Sequence, residues 1–270
     1  MVKKIVHCAD IHIRTFRMHE EYEEVFKKFI NKIKTLIEGL EYNEVRIVIV
    51  GDLVHQKITI SNEQLILGCN FLRNLAELAP VVVVAGNHDL LENNKDRMDS
   101  ISPMISLLNH PNIRYYKESL CYEDENIVWA NYSIFDENER PNIEEYRANN
   151  AGDYKLIGLY HAPLVGAKTD IGYEFDHGTN LEHFDGCDMV MLGDIHKRQT
   201  FTYKGIPIAY PSSLIQQNFG ETVSKHGFLF WDIETKTFEE HDIPTDFGFY
   251  QFKIKSLEDL EENKEIFTNK

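Results

Sequence analysis

Five short motifs rich in aspartate and histidine lie along the chain, each directly after an apolar run. In chain order they are Asp10-Ile11-His12, Gly51-Asp52, Gly86-Asn87-His88-Asp89, His161 and Gly193-Asp194-Ile195-His196. Their carboxylate, amide and imidazole groups are sufficient to hold two divalent metal ions side by side. Because a paired metal site activates water for attack on a phosphate ester, the motifs predict a phosphoester hydrolase.

The first third of the chain alternates predicted strands with predicted helices. Apolar residues recur at helical spacing from residue 19 to about residue 40, and Ser61 with Gln64 indicates a capping box that opens a second helix. Segments dominated by apolar residues predict buried strands at residues 3–9, 45–50 and 81–85. Strands separated by helices pair in parallel, so the motifs that follow them are expected at one edge of a sheet.

After residue 110 the pattern changes to short strand candidates. They lie at residues 113–116, 120–122, 127–131, 156–161, 189–192, 206–210, 227–233 and 238–241. The polar stretch at residues 139–150 predicts a surface helix or a lid. We therefore expect an α/β fold of two packed mixed β-sheets flanked by helices, in four layers α/β/β/α.

Charge and composition limit the partners and the compartment. With a formal net charge of -16, DNA binding would be weak, confined to one face or supported by a partner. Two bound divalent ions would add about four positive charges at the site. The chain has four scattered cysteines, a strand-like N-terminus and no apolar stretch of about 18 residues, which predicts a cytoplasmic protein that does not enter a membrane.

The individual motif residues suit distinct roles at a metal site. In the first motif, Asp10 and His12 would lie on the same side of an extended segment. The two oxygens of Asp52 allow one carboxylate to bridge two ions, and Asn87 offers a neutral oxygen. His88 is expected to face the substrate, where it donates a proton to the leaving oxygen or stabilises charge on the phosphate. Taken alone, each motif also fits a helix cap, a turn or a surface histidine.

The order of the motifs resembles that of the calcineurin-like metallophosphoesterases, which include phosphoprotein phosphatases, cyclic-nucleotide phosphodiesterases and DNA nucleases. Phosphoprotein phosphatases carry G-D-x-x-D-R-G, whereas this chain reads Gly51-Asp52-Leu53-Val54-His55. That segment is similar to the SbcD-type nucleases, the nuclease subunits of double-strand-break repair complexes. In that family, this histidine lies close to the scissile phosphate.

A second segment supports the same resemblance. Tyr210-Pro211-Ser212-Ser213, followed by Phe219-Gly220-Glu221, is similar to the Y-P-G-S…F-x-E pattern of these nucleases. The resemblance covers about residues 1–243, and implies a nuclease domain at residues 1–245 and the beginning of a capping or DNA-binding domain at residues 246–270. In this tail, residues 249–254 are a strand candidate, and Ser256 with Asp259 would cap a short helix that ends at Phe267. Such a tail indicates a truncated chain or a compact viral form.

Three positions depart from the family pattern. Asp194 stands where histidine is usual, and Arg14 and Ser212 each stand where glycine is usual. With Asp10 and Asp52, Asp194 sets three carboxylates against about four metal charges, which favours manganese or magnesium over zinc. Arg14 either places a cation near the phosphate or is a surface residue, and Ser212 is expected to be harmless.

The resemblance also implies a ligand set and a reaction. One ion would be held by Asp10, His12, Asp52 and His196, and the other by Asp52, Asn87, His161 and Asp194. His88 would assist the leaving oxygen, and His55 would steer the DNA strand. Candidate phosphate contacts are Arg14, Lys57, Lys168, Lys197 and Arg198. The implied activities are manganese-dependent endonuclease and 3′-to-5′ exonuclease cleavage, by a homodimer bound to an SbcC-type ATPase in DNA repair and recombination.

Two other functions stay open. A phosphatase or cyclic-nucleotide phosphodiesterase acting on small molecules is favoured by the acidic charge, and is opposed by His55 and by the Tyr210-Pro211 segment. A non-catalytic or weakened module that keeps the fold but has lost a metal is suggested by Asp194.

Overall fold

Twelve strands and five helices form the regular structure of residues 1–136, 139–262 and 264, which are the residues that this computed structural model describes. Along the chain they are β1 Lys4–Cys8, α1 His19–Leu36, β2 Val45–Val50, α2 Asn62–Ala76, β3 Val81–Val84, α3 Ile101–Leu108, β4 Ile113–Tyr116, β5 Cys121–Asp124, β6 Ile127–Tyr132, α4 Ile143–Asn149, β7 Lys155–His161, β8 Met189–Gly193, β9 Gln199–Tyr203, β10 Ile206–Tyr210, β11 Gly227–Asp232, β12 Thr237–Asp242 and α5 Leu257–Glu262. The eleven strands predicted before residue 242 are present, with ends shifted by no more than about two residues.

The strands form two mixed sheets. In the first sheet the order is β12-β11-β1-β2-β3-β4, with β1 to β4 parallel and with β11 and β12 antiparallel to their neighbours. In the second sheet the order is β5-β6-β7-β8-β10-β9, with β6, β7, β8 and β10 parallel. The edge strands β5 and β9 are antiparallel to their neighbours. The predicted pair of mixed sheets is therefore confirmed.

Alternation along the buried strands builds the four predicted layers. In β2, Ile47 and Ile49 pack in the cluster formed with α1, α2 and α3. Their neighbours Val48 and Val50 point the other way and pack with residues of β6, β7 and β8 between the two sheets. A third cluster covers the outer face of the second sheet and includes Ile143 of α4. A strand that carries apolar residues toward both sides of the sheet is thus buried on both faces.

The first helix follows the predicted apolar spacing but is shorter than predicted. Its buried stripe includes Tyr22, Phe26, Phe29 and Ile33. The helix ends at Leu36 because the chain then turns through Gly39, whose φ of +84° suits glycine. Within the part of the chain that the structure describes, no helix combines the length and the apolar character that a membrane crossing needs.

The second helix begins with half of the predicted capping box. Ser61 Oγ accepts a hydrogen bond from the Gln64 backbone nitrogen at 3.2 Å. The Gln64 side chain does not return to Ser61, since its amide nitrogen donates to the Ile13 carbonyl oxygen at 2.5 Å. Gln64 thereby holds the loop that follows β1 and carries the first motif.

Two elements were missed by the sequence reasoning, α3 and β9. At the start of α3, the Asp99 carboxylate accepts hydrogen bonds from the backbone nitrogens of Ile101 at 3.0 Å and Ser102 at 2.8 Å. Strand β9 pairs antiparallel with β10 across a tight turn at Lys204 and Gly205, which both have positive φ. A Lys-Gly turn between alternating residues is the signal that indicates this hairpin.

The strand predicted at residues 249–254 is wrong. The backbone of Phe249 bonds to a side chain instead of a strand, since its nitrogen donates to Gln216 Oε1 at 2.6 Å and its oxygen accepts from Gln216 Nε2 at 3.1 Å. Further along, the expected cap is present, because Ser256 Oγ accepts from the Asp259 nitrogen at 3.2 Å. The predicted helix end at Phe267 lies outside the described residues, and the domain boundary at residue 245 stays a prediction.

A buried ion pair joins the two sheets at the end opposite the motifs. Arg46 near the start of β2 donates through Nε and Nη2 to the two carboxylate oxygens of Asp124 in β5, at 2.7 Å and 2.8 Å. Trp129 Nε1 donates to the same carboxylate at 3.1 Å. Because both charged side chains are buried, each one depends on the other for its solvation.

Replacing Asp124 by alanine is expected to lower the free energy of unfolding by about 3–5 kcal/mol, because it leaves a buried guanidinium without its partner. Urea denaturation followed by circular dichroism measures the change. Asp176→Ala, at an exposed aspartate, is the matched control and should have little effect. A loss for Asp124→Ala no larger than that of the control would show that the pair does not hold the sheets together.

Candidate dinuclear metal centre

The seven predicted ligands meet at one edge of the paired sheets. Each follows the carboxyl end of a parallel strand, where open α/β sheets place their ligands. In the first sheet, Asp10 and His12 follow β1, Asp52 follows β2 and Asn87 follows β3. In the second sheet, His161 ends β7, and Asp194 and His196 follow β8. The site therefore exists only where the two sheets are packed against each other.

One group of ligand atoms is centred on two histidines. His12 Nε2 lies 3.0 Å from His196 Nε2 and 3.3 Å from Asp52 Oδ2. Asp10 Oδ1 lies 4.0 Å from His12 Nε2 and 3.7 Å from His196 Nε2. The structure therefore brings together the four side chains predicted to hold the first ion, and their role as ligands stays a prediction.

A second group surrounds His161 Nε2. The distances from this nitrogen are 3.2 Å to Asn87 Oδ1, 3.4 Å to Asp52 Oδ1 and 3.8 Å to Asp194 Oδ1. Asp194 thus points into the site although it replaces the histidine of the family pattern, and its backbone nitrogen donates to Asp10 Oδ1 at 3.1 Å. The four side chains predicted to hold the second ion are thus also brought together, and their role as ligands stays a prediction.

Asp52 belongs to both groups. Its Oδ2 faces His12, and its Oδ1 faces His161 and accepts a hydrogen bond from the His88 backbone nitrogen at 2.8 Å. Burial alone would favour the neutral acid, yet His161 and His12 hold the pKa of Asp52 well below its usual range. One ionised carboxylate is therefore shared between the two groups of ligands, as a bridge requires.

The electrostatics of the site fit a pair of divalent cations. Burial raises the pKa of Asp10 to about 7, so its charged form needs nearby positive charge. Burial opposes protonation of His161, yet Asp52, Asp10 and Asp194 raise its pKa well above the usual value. These carboxylates attract positive charge, which metal ions supply when they displace protons from the ligands. The mixture of carboxylate, amide and imidazole donors suits divalent metal ions.

Hydrogen bonds orient two of the ligand histidines. His161 Nδ1 bonds to the Val50 carbonyl oxygen at 2.8 Å, and His196 Nδ1 bonds to Glu221 Oε1 at 2.7 Å. Burial alone would lower the pKa of His196, but the carboxylate of Glu221 raises it, and the pKa is about 9. In both rings Nε2 is left to face the metal site, an arrangement that strengthens metal binding. Glu221 is the last residue of the F-x-E segment noted in the sequence, but the sequence alone did not predict that it bonds to a candidate ligand.

The backbone of the site is not extended as expected. Asp10, His12, Asp52 and Asp194 have φ values of 54°, 52°, 54° and 94°, all in the left-handed region. Asp10 and His12 do face the same site, as expected, but from a turn and not from an extended segment, because β1 ends at Cys8. Left-handed conformations of residues other than glycine are costly and cluster at functional sites.

Close contacts require glycine beside the ligands. A Cβ atom on Gly51 would lie 2.1 Å from His161 Nδ1, and one on Gly86 would lie 2.1 Å from Asp52 Oδ1.

Asp89, for which the sequence predicted no role, joins the two motif loops. Its buried carboxylate accepts hydrogen bonds from the backbone nitrogens of Gly86 at 2.8 Å and Val54 at 3.0 Å. The motif glycines and Asp89 thus position the ligands.

His55 and His88 lie above the ligands and pair with each other. Their rings stack with centroids 5.1 Å apart, and His88 Nδ1 bonds to the His55 carbonyl oxygen at 2.7 Å. Nε2 of His88 is therefore the nitrogen left for a substrate. His55 Nδ1 lies 3.2 Å from His12 Nδ1, and burial with nearby Arg14 lowers the pKa of His55 to about 4. His55 is thus neutral at pH 7.

A cavity of about 480 Å³ opens over the centre. It is lined by His12, Arg14, Arg17, His55, His88, His196, Gln217, Asn218, Phe219 and Phe249. No acidic side chain belongs to this lining, although the chain has 44 aspartates and glutamates. The cavity therefore presents cationic and aromatic groups to a ligand, with the carboxylates beneath them.

Of the five predicted phosphate contacts, only Arg14 lines this cavity. Lys57 pairs with Glu92, and Lys168 pairs with Glu174 at 3.1 Å. Arg198 donates to Asp242 at 2.7 Å and to the Pro211 carbonyl oxygen at 3.0 Å. Lys197 also lies outside the lining. A role for these four residues in DNA binding stays a prediction.

Residues 3–198 match the family described as Calcineurin-like phosphoesterase. The chain belongs to this family. The match includes all seven candidate ligands as well as His55 and His88. The phosphoesterase is also 38% identical over 259 residues to an uncharacterized protein of Acanthamoeba polyphaga mimivirus. That similarity covers 94% of this chain and 19% of the mimivirus protein, so the chain spans about a fifth of its relative.

Two solved structures resemble the phosphoesterase. One is a novel archaeal phosphodiesterase, with 13% sequence identity, coverage of 87% of this chain and 97% of that chain, and a TM-score of 0.39. The other is the phosphopantetheinyl hydrolase PptH from Mycobacterium tuberculosis, with 12% identity, coverage of 77% and 88%, and a TM-score of 0.46. Similarities at this level carry no information about the substrate.

Glu221→Ala is expected to weaken manganese binding by about 10- to 100-fold, because His196 loses the carboxylate that orients its ring. Isothermal titration of the phosphoesterase with Mn²⁺ measures the affinity. Glu221→Gln keeps an acceptor for His196 Nδ1 and should fall between the variant and the wild type. Glu234→Ala, at an exposed glutamate, is the matched control. Unchanged affinity in Glu221→Ala would remove Glu221 from the support of the centre.

Proposed function

We propose that this phosphoesterase is a metal-dependent DNA nuclease of the SbcD type that hydrolyses phosphodiester bonds with two Mn²⁺ ions, or with Mg²⁺. The observation that carries the proposal is the shared carboxylate of Asp52 beneath a cavity without acidic lining. A phosphodiester carries one negative charge, and its oxygens need cationic neighbours on the face opposite the water. Arg14 and Arg17, which line the cavity, supply such neighbours.

Two divalent ions in these ligand groups would lower the pKa of a shared water and neutralise the phosphate oxygens. The three carboxylates of Asp10, Asp52 and Asp194 leave about one positive charge from two such ions. That low net charge and the oxygen-rich donor set favour manganese or magnesium over zinc.

His88 is placed to act on the leaving oxygen. Its Nδ1 proton is held by the His55 carbonyl oxygen, and its Nε2 is the remaining position for a proton. A protonated His88 ring would donate the Nε2 proton to the leaving oxygen, and the ring would stay anchored through Nδ1. His55, which lines the same cavity, would contact the DNA strand.

The proposal includes the partners that the resemblance implies. Because the chain has a net charge of -16, most of the affinity for the DNA backbone would have to come from a partner protein. An SbcC-type ATPase and a second copy of this chain are the proposed partners, and DNA repair and recombination the proposed process. Endonuclease and 3′-to-5′ exonuclease cleavage are both proposed activities.

His88→Gln is expected to lower kcat on single-stranded and hairpin DNA by about 100- to 10,000-fold in Mn²⁺ buffer, because the proton donor is lost. Metal content should be unchanged, since Asp52 is held by the backbone nitrogen of His88 and not by its side chain. A gel assay of labelled DNA gives the rate, and elemental analysis gives the metal content.

His177→Gln, at an exposed histidine, is the matched control for this test and should keep full activity. A wild-type preparation that cleaves no DNA in Mn²⁺, with or without an ATPase partner, would end the nuclease proposal. Equal rates for His88→Gln and wild type would leave the nuclease but remove His88 from its proposed role.

A hydrolase of small phosphoesters is the second candidate, and the net charge of -16 favours it because long DNA is repelled by an acidic surface. This candidate predicts rapid turnover of nitrophenyl phosphates together with no cleavage of plasmid or hairpin DNA. The nuclease proposal predicts that DNA is cleaved in the same buffer.

A further inference from the structure

Arg14 is a buried cation that lines the cavity and forms no ion pair with a carboxylate among the described residues, although the charge of Glu221 acts on it. Only 5% of the residue is exposed, and its Nη2 donates to the Gln217 backbone oxygen at 2.8 Å and to Gln217 Oε1 at 3.2 Å. Its Nε has no hydrogen-bond partner in the part of the chain that the structure describes. A buried guanidinium with an unused donor is costly unless an anion binds beside it.

Phe219 lies at the rim of the same cavity and is 61% exposed. Its ring meets the Phe249 ring edge to face, with centroids 5.3 Å apart. The turn that carries it is tightly bonded, because the Gly220 nitrogen donates to Asn218 Oδ1 at 2.7 Å. An aromatic ring held in place with one open face is the geometry on which a nucleobase stacks.

One short loop fixes both groups relative to the metal ligands. Gln217 anchors Arg14, and the Gln217 nitrogen donates to Glu221 Oε2 at 2.8 Å. Glu221 in turn bonds to His196 at 2.7 Å, and Phe219 lies between Gln217 and Glu221 in the chain. The arginine, the exposed ring and a candidate ligand of the first ion are therefore connected through one hydrogen-bonded loop.

From this arrangement we propose that Arg14 and Phe219 form a subsite for the nucleotide next to the scissile phosphate. Arg14 takes the neighbouring phosphate through its guanidinium, whose planar fork matches phosphate oxygens. Phe219 stacks on the neighbouring base without regard to its identity. This inference rests on the proposed function, and it makes an oligonucleotide strand the preferred substrate over a small phosphoester.

The test compares two substrates in the same Mn²⁺ buffer, a short single-stranded oligonucleotide and methyl 4-nitrophenyl phosphate, which has neither a second phosphate nor a base. The measured quantity is the ratio of kcat/KM for the oligonucleotide to kcat/KM for the methyl ester. Arg14→Gln should lower this ratio about 10-fold or more, because a charged hydrogen bond to phosphate is lost. Phe219→Ser should lower it about 5- to 100-fold.

Conservative variants separate binding from folding. Phe219→Tyr keeps the ring and should restore the ratio, and Arg14→Lys keeps the charge but not the fork and should restore it in part. Arg97→Gln, at an exposed arginine, is the matched control. If Arg14 or Phe219 is needed only for folding, its substitution lowers kcat/KM for both substrates equally and leaves the ratio unchanged. An unchanged ratio would therefore overturn the subsite.

A second readout is independent of turnover. Fluorescence anisotropy of a labelled oligonucleotide in Ca²⁺ buffer gives the Kd of wild type and variants, and each variant should weaken binding by a similar factor to its change in the ratio. If wild type cleaves DNA and both variants keep the ratio and the Kd, the subsite is wrong and the nuclease stands. If wild type neither cleaves nor binds the oligonucleotide, the subsite and the proposed function both fail.

Discussion

The carboxylate of Asp52 is the contact on which the rest of the site depends. One oxygen faces His12 of the first sheet, and the other faces His161 of the second sheet, so a single side chain connects the ligands of both sheets. The fold maintains this contact against a backbone cost of roughly 1–3 kcal/mol for each left-handed ligand residue. The bonds of Asp89 to the backbone of Val54 and Gly86 hold the loops that carry Asp52 and Asn87.

The charge of the cavity is opposite in sign to the net charge of the chain. The surface as a whole is acidic, with a net charge of -16, while the cavity over the ligands is lined by arginine, histidine and aromatic residues. A phosphate that enters the cavity meets the two arginines of its lining, and the acidic surface acts on it only through screened, longer distances. Net charge therefore limits long-range attraction of DNA more than it limits chemistry at the centre.

Much of the fold could be predicted because buried parallel strands are rich in apolar residues, as in Val81–Val84, and because each motif directly follows such a strand. Features that depend on contacts between distant residues could not be predicted from the sequence. The hydrogen bonds from His196 to Glu221 and from Arg14 to Gln217 join residues that local sequence patterns do not connect. The left-handed backbone at Asp10 is likewise not indicated by its sequence neighbours. The wrong strand at residues 249–254 has the same origin, since a distant glutamine takes its backbone bonds.

Anomalous X-ray diffraction at the manganese edge, on crystals grown in Mn²⁺, tests the shared carboxylate most directly. The account predicts two peaks about 3.5–4 Å apart, one on each side of the Asp52 carboxylate. The peak on the His12 side should be coordinated by Asp52 Oδ2 and the peak on the His161 side by Asp52 Oδ1. A single peak at saturating Mn²⁺, or two peaks of which only one contacts Asp52, would contradict the central claim.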